Sequence, residues 1–264
     1  MSGAAMHHVR RGSGKPLLLV HGLGGSWRSW NPVLEGLAAH REVIAVDLPG
    51  FGDTPRLAGE MSISTLADAI AEFLTAQGLL GIDAVGSSMG ARLLLELTRR
   101  GGVVGAVVAL GPGGFGTRFQ RDVFYATLKG SIQFVRGVRP LLPQLAGNAA
   151  TRTILFAQFS SHPWKLSPEL VLDEIRSAMA SPCYDEMLWK LAYNDPPVGA
   201  PRGSIEPPLV IGWGRYDHVS FPSLAKPALE MFPDARLHWF PTSGHVPAWD
   251  APEETIRLVL DTVG

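Results

Sequence analysis

Short runs of mostly apolar residues alternate with segments of helical periodicity along much of the chain. Near-continuous apolar runs are typical of strands that are buried on both faces of a parallel sheet. We therefore predict an α/β fold, in which helices flank a mostly parallel central sheet. The predicted strands cover residues 17–20, 43–47, 82–85, 103–110, 209–211 and 237–240.

Helical segments separate these strands, and two of them have clear N-terminal signals. Ser62 or Ser64 is a suitable cap for the segment 62–77, whose apolar residues lie three and four positions apart. Asp250, with Glu253 three residues later, predicts the start of the last helix. Two further predicted helices cover residues 30–39 and 89–100.

One long segment interrupts the alternation. Residues 113–206 contain short amphipathic stretches, such as 168–179 and 183–192, which are broken by prolines and include no convincing strand. We interpret 113–206 as a helical cap, or lid, inserted between two strands of the core. The core domain then consists of residues 1–112 and 207–264.

The composition limits the class of protein. The 264 residues are 46% hydrophobic and 18% charged, which excludes a disordered chain and predicts a large core. A formal net charge of −1 gives no reason to expect nucleic-acid binding. No targeting segment and no apolar run of membrane-spanning length is apparent, so we expect no membrane partner. Cys183 is the single cysteine, which rules out an intrachain disulfide and favours a cytoplasmic location.

A serine flanked by glycines lies between a predicted strand and a predicted helix. The pattern Gly86-Ser87-Ser88-Met89-Gly90 is weak by itself, because glycine and serine are common in this chain. Its position favours a sharp turn that raises Ser88 above the sheet, over an ordinary glycine-rich turn. Ser88 is therefore the candidate nucleophile.

A serine hydroxyl needs a base, and a histidine needs a group that orients it. His245 directly follows the last predicted strand, at the edge where α/β sheets carry their chemistry. His218 is a weaker alternative. His162 lies in the insertion and His238 lies inside a predicted strand, so neither is preferred. Asp217 follows the strand 209–211 and is the candidate acid.

The loop after the first strand provides the candidate oxyanion hole. Its glycines allow the backbone to approach a substrate closely. Leu23 is the preferred N–H donor and Gly24 the second choice, with Met89, the residue after the nucleophile, as the other donor. We interpret His21 as structural.

Taken together, these segments resemble those of the α/β-hydrolases and occur in the same order. The resemblance covers residues 16–112 and 207–263, and it implies a Ser88-His245-Asp217 triad with a lid formed by 113–206. A serine at the nucleophile position excludes the epoxide hydrolases and haloalkane dehalogenases of this family, which use aspartate. The segments that carry the resemblance are 21–22, 47–53, 86–90, 212–217 and 244–253.

Within that family, the chain resembles the carboxylesterases, enol-lactonases and carbon–carbon bond hydrolases. The last group usually carries asparagine before the nucleophile and tryptophan after the histidine, where this chain has Ser87 and Val246. We therefore expect cleavage of a carboxylic ester through an acyl-enzyme, without a metal or organic cofactor. Carbon–carbon bond hydrolysis, lactone hydrolysis, acyl transfer, perhydrolysis and slow-turnover ligand binding remain alternatives. The pair His7-His8 is a weak candidate for metal binding.

The expected partner is a small ester, and both a monomer and a homodimer are compatible with the sequence. Residues 113–168 carry seven basic residues and one acidic residue, a charge of +6. Solvated helix faces are one interpretation, and steering of an anionic substrate is the other. The candidates for substrate binding are Gly22, Gly24, Trp27, Ser87, Trp189, Trp213 and Val246.

Overall fold

A computed structural model describes residues 6–264. Within this range, seven strands form one sheet in the order β1-β3-β2-β4-β5-β6-β7. β1 is antiparallel to β3, and all other neighbours are parallel, which confirms the predicted α/β class. The strands are β1 His8–Arg11, β2 Pro16–Val20, β3 Glu42–Val46, β4 Ile82–Ser87, β5 Val104–Leu110, β6 Leu209–Gly214 and β7 Arg236–Phe240.

Helices of the core flank this sheet. Ser62 caps α2 as predicted, because its hydroxyl accepts a hydrogen bond from the backbone N–H of Thr65. The predicted cap at Asp250 is wrong: this residue ends the short helix α10, and α11 begins after Ala251. The core helices are α1 Asn31–Ala38, α2 Ile63–Gln77, α3 Met89–Arg100, α9 Ala225–Met231, α10 Pro247–Asp250 and α11 Pro252–Val263.

Each face of the sheet carries its own apolar layer. Leu18 and Val20 of β2 belong to one buried cluster, and Leu17 and Leu19 belong to the other. Side chains alternate between the two faces of a strand, so a continuous apolar strand serves both layers at once. All four of these residues are fully buried.

The segment between β5 and β6 is helical, and no strand occurs in residues 113–206. Its helices pack around a third apolar cluster, which includes Phe156, Ile175 and Tyr184. This cluster also contains Val219 from the core, so the insertion packs against the carboxyl end of the sheet. The helices are α4 Arg118–Gly137, α5 Leu142–Gly147, α6 Ala149–Phe156, α7 Pro168–Ala180 and α8 Tyr184–Trp189, followed by a π-helical turn at Lys190–Asn194.

Candidate active site

Ser88 occupies the sharp turn between β4 and α3. Its φ of +53° is the only positive value among the described non-glycine residues. A side chain at Gly86 would meet the carbonyl oxygen of Gly90 at 2.5 Å, and one at Gly90 would meet that of Val20 at 2.2 Å. The two glycines are therefore required by close backbone contacts, and the strained turn presents Ser88 at the end of the sheet.

Asp217 and His245 meet at the same end of the sheet. Nδ1 of His245 donates to Oδ2 of Asp217 over 2.9 Å, and both side chains are almost fully buried. The other carboxylate oxygen accepts the backbone N–H groups of Val219 and Ser220, each at 2.8 Å. These bonds fix the carboxylate, which in turn orients the imidazole so that its Nε2 carries the free lone pair.

Ser88 and His245 line one common cavity. Among residues 6–264, no hydrogen bond joins the Ser88 hydroxyl to His245, although the imidazole is held by Asp217. Catalytic hydrogen bonds of this kind often tighten only when substrate is bound. The site therefore presents a serine and an oriented imidazole to the same space.

Two backbone N–H groups beside Ser88 have no acceptor within residues 6–264. One belongs to Met89, the first residue of α3, and the other to Leu23 in the loop after β2. A side chain at Gly22 would meet the Cβ atom of Ser88 at 3.2 Å, so this loop runs directly alongside the serine. Free N–H groups and a helix N-terminus both favour negative charge at this position.

His21 is buried beneath the loop, in agreement with a structural role. Its Nε2 accepts the backbone N–H of Leu48 at 3.0 Å, and its Nδ1 contacts the carbonyl oxygen of Gly22 at 2.7 Å. Burial lowers the pKa of His21 below its usual value. The neutral ring thus joins the loop after β2 to the loop after β3.

Asp250 holds the loop that carries His245. Its Oδ2 accepts the backbone N–H of Gly244 at 2.7 Å and that of Ser161 at 2.9 Å. The backbone N–H of His245 donates to the carbonyl oxygen of Phe159 at 2.8 Å. The insertion is therefore hydrogen-bonded to this region twice. Ser161 donates to the carboxylate of Asp250, and the carbonyl of Phe159 accepts from His245.

The cavity between the core and the insertion measures about 130 Å³. Four of the predicted substrate-binding residues line it, namely Gly22, Gly24, Ser87 and Val246. Its opposite wall comes from the insertion and is largely apolar, with side chains that include Phe124, Leu128, Ile132, Phe156, Ile175 and Leu191.

Three predicted pocket tryptophans lie elsewhere, which corrects that part of the prediction. Trp213 lies within β6, is fully buried in the core and donates its indole N–H to the carbonyl of Ser220. Trp189 ends α8 and is 44% exposed. Trp27 packs against the core with the guanidinium of Arg28 over its ring.

Sequence reasoning missed Trp30, Trp249 and Glu174, which all line the cavity. Trp249 lies four residues after His245, in the segment that follows the last strand. This position in the sequence could have indicated that Trp249 lines the site. Glu174 lies on the apolar face of the predicted helix 168–179, next to Ile175. A charged residue on an apolar face is an informative signal in itself.

The predicted metal pair His7-His8 does not form a common site. His7 Nδ1 lies 2.8 Å from Asp47 Oδ2, near Asp53, whereas His8 turns to the carbonyl oxygen of Met6. The carboxylate of Asp47 already accepts the backbone N–H groups of Trp27 and Asp53. These hydrogen bonds indicate that Asp47 stabilises the loop that contains Asp53, which accounts for the cluster.

No helix in residues 6–264 has both the length and the hydrophobicity that crossing a membrane requires.

Comparison with known proteins identifies the class of this fold and site. The sequence profile of the alpha/beta hydrolase family matches residues 17–258. The chain belongs to this family, whose members include hydrolases of several substrate types.

Individual relatives differ in how much of the chain they match. A 2-hydroxy-6-oxo-2,4-heptadienoate hydrolase of Pseudomonas putida is 27% identical over 97% of this chain and 91% of its own length. An (E)-2-((N-methylformamido)methylene)succinate hydrolase of Acinetobacter baylyi is 33% identical, but the match covers only 32% of either protein. An esterase of Thermogutta terrifontis has the same fold, with a TM-score of 0.74 at 18% identity, covering 97% of this chain and 92% of its own.

Proposed function

We propose that this protein hydrolyses carboxylic esters, with Ser88 as nucleophile, His245 as general base and Asp217 as the orienting acid. The observation that carries the proposal is the strained Ser88 turn, which lines the same cavity as His245, the histidine that is bonded to Asp217. Such a turn costs roughly 1–3 kcal/mol and persists where its geometry serves a function.

The chemistry follows from these positions. His245 Nε2 removes the proton of the Ser88 hydroxyl as its oxygen attacks the ester carbonyl carbon. The N–H groups of Leu23 and Met89 stabilise the oxyanion, and His245 then protonates the departing alcohol. Water, activated by the same imidazole, hydrolyses the acyl-enzyme and releases the acid. This sequence requires no metal or organic cofactor.

We also propose that residues 113–206 act as a lid over this site. These residues supply the apolar wall of the cavity. They contact the histidine loop through the carbonyl oxygen of Phe159, and the N–H of Ser161 donates to Asp250. A wall of this kind excludes water and favours esters with an apolar acyl or alcohol part.

The proposed nucleophile is tested with p-nitrophenyl esters from acetate to octanoate. We expect wild-type turnover, and a loss of at least about a thousandfold in Ser88→Ala. Ser204→Ala, in an exposed loop, is the matched control and should behave as the wild type. Absence of turnover with folded wild-type protein would overturn the ester proposal.

Carbon–carbon bond hydrolysis is the second candidate, because the Pseudomonas putida dienoate hydrolase is similar over nearly the whole chain. Ser87 and Val246, which differ from the pattern of that group, both line the cavity. We therefore expect esters to be cleaved faster than 2-hydroxy-6-oxo-dienoates. A higher kcat/KM for the dienoate would reverse this order.

A further inference from the structure

Glu174 is a carboxylic acid inside an otherwise mostly apolar part of the cavity. Its helix α7 places it on the inward face, between Val171 and Ala178, because residues three and four apart share a face. The Oε1 atom is fully buried and has no hydrogen-bond partner within residues 6–264. Buried polar atoms are rarely left unpaired, so this atom requires an explanation.

Within residues 6–264, no cation forms an ion pair with this carboxyl group. The cavity is also lined by the titratable side chains of His245 and Tyr184, and His245 is bonded to Asp217. On its own helix, the neighbouring charge is Asp173, which is also acidic, and the one cation, Arg176, lies two positions further along and is exposed.

The cations of the elements packed against α7 are engaged elsewhere or belong to another pocket. Lys129 and Arg136 of α4 both pair with Asp185, and Arg121 of α4 lines a separate, smaller pocket. On the other neighbouring elements, Arg152 of α6 donates to backbone carbonyls, and Arg28 lies over the ring of Trp27. The remaining charges of α4 are Arg118 and Asp122, of which Asp122 accepts from Tyr193.

This environment is unfavourable for an ionised carboxylate. Burial raises the pKa of Glu174 to about 7, with the charge of Asp173 adding to the rise and the Ser29 hydroxyl opposing it. A leucine at this position would pack against the apolar wall without such a penalty. A group that is costly to bury and lines the same cavity as a candidate nucleophile is a candidate for ligand recognition.

We propose that Glu174 is a specificity-determining residue, which binds a hydroxyl or ammonium group on the part of the ester remote from the scissile carbonyl. The proposal rests on the ester hydrolysis proposed above, and it adds the substrate class. The substrate would be an ester with an apolar stem, which fits the cavity wall, and a hydrogen-bond donor at its end. That donor would hydrogen-bond to the Glu174 carboxyl group, which lines the cavity.

The pH dependence of kcat/KM should distinguish a substrate with a hydroxyl group from one with an ammonium group. A carboxyl group accepts a hydrogen bond from a hydroxyl in either protonation state, whereas an ammonium group is bound best by the carboxylate. Preference for the ammonium ester should therefore rise between pH 6 and pH 8, as Glu174 ionises around its pKa of about 7. The ratio of the kcat/KM values for two esters on the same enzyme is not affected by pH effects that act equally on both reactions.

The experiment compares ethyl hexanoate with its ω-hydroxy and ω-amino analogues, and the acid product is measured by chromatography. We expect wild-type kcat/KM to favour both analogues by about tenfold, the size of one hydrogen bond to a buried charged group. Glu174→Leu should lose both preferences, and Glu174→Gln should lose only the preference for ammonium. Glu169→Gln, on the exposed side of the same helix, is the matched control. Equal preferences in wild type and Glu174→Leu would overturn the proposal while ester hydrolysis stands.

A binding measurement keeps the inference testable if no ester is hydrolysed. Hexylammonium should raise the Tm of the wild type and of Glu169→Gln at pH 8, but not that of Glu174→Leu. Equal shifts in all three proteins would contradict the recognition role of Glu174, whatever the catalytic activity.

Discussion

At the scale of single residues, the glycines around Ser88 have no room for side chains. A methyl group at Gly90 would lie 2.2 Å from the carbonyl oxygen of Val20, a backbone atom that cannot move aside cheaply. We therefore expect Gly90→Ala to lower the free energy of unfolding by about 3 kcal/mol or more, since overpacking against backbone forces the strand and the helix apart. Urea denaturation measures this change.

Gly130 provides the matched control for that substitution. It lies within α4, and a methyl group there would meet no atom within 4 Å. Gly130→Ala should leave the protein as stable or stabilise it by about 0.4–1 kcal/mol, because alanine favours the helix. Equal destabilisation by both substitutions would contradict the steric argument.

Glu174 makes a prediction about stability as well as specificity. The folded protein retains its proton up to about pH 7, whereas an unfolded chain releases it near the ordinary value of 4.5. Between these values the folded state binds more protons, so the free energy of unfolding falls as pH rises. We expect Glu174→Gln to become more stable than the wild type across this window, by about 1–3 kcal/mol at pH 8.

Denaturation curves at pH 4, 6 and 8 measure this difference. Glu169→Gln reports the contribution of an ordinary exposed carboxylate on the same helix. A stability difference between the wild type and Glu174→Gln that does not change with pH would contradict the burial of the Glu174 carboxyl.

At the scale of elements, the sequence pattern predicts where buried strands occur but not the residues at which they end. The apolar run 209–211 predicted β6, but the strand continues to Gly214 through Gly212 and Trp213. The predicted strand therefore leaves out Trp213, which lies within the sheet. β1 was missed because His8–Arg11 is a polar edge strand, which has no continuous apolar run to mark it.

Asp250 shows the same limit for a helix start. Its spacing to Glu253 matches a capping box, but Asp250 ends the short helix α10, and Ala251 lies between it and α11. The carboxylate instead accepts backbone N–H groups from Gly244 and Ser161, which are distant from each other in sequence. A local pattern cannot reveal such a long-range acceptor.

Removal of this acceptor should loosen the histidine loop. We expect Asp250→Ala to lower the free energy of unfolding by about 1–3 kcal/mol, since it leaves partly buried N–H groups unpaired. We also expect it to reduce kcat for ester hydrolysis, because His245 directly follows Gly244. Glu253→Ala, an exposed carboxylate in the first turn of α11, is the control. Unchanged stability and kcat in Asp250→Ala would show that Asp250 does not hold the loop.

At the scale of the whole molecule, the cavity exists only because the insertion packs against the carboxyl end of the sheet. In the sequence, Asp217 and His245 each follow a predicted strand, which indicated that they lie at the same edge of the sheet. In the structure these strands, β6 and β7, are neighbours, and the two side chains are hydrogen-bonded. The opposite wall depends on how the helices of 113–206 fold back over the core. Periodicity gives those helices but not their placement, which explains why Glu174 was missed as a cavity residue.

The structure also narrows the interpretation of the basic insertion. Three of the seven bases between residues 113 and 168 are engaged in ion pairs or with carbonyl groups, namely Lys129, Arg136 and Arg152. Arg121 differs, because its Nε atom is buried and has no hydrogen-bond partner in residues 6–264. The residue also lines a small pocket together with Ser88. Because this pocket is also lined by Ser88, we expect Arg121, rather than the net charge of the insertion, to recognise an anionic group on the substrate.

A matched pair of esters tests this interpretation. We expect Arg121→Gln to lower kcat/KM about tenfold for a monoethyl dicarboxylate relative to the neutral diethyl ester, because it removes one charge-assisted hydrogen bond. Arg118→Gln, at an exposed position of the same helix, should leave the ratio unchanged. Equal changes in the two variants, together with a strong salt dependence, would favour general electrostatic steering instead.

The central claim is that Ser88 is a nucleophile activated by His245, and covalent labelling tests it most directly. A fluorophosphonate forms a bond between phosphorus and the serine oxygen as fluoride leaves, and the label is located by mass spectrometry of peptides. We predict one label on Ser88, labelling slowed by about a hundredfold or more in His245→Ala, and none in Ser88→Ala. A label at another residue, or a labelling rate that does not depend on His245, would contradict the account.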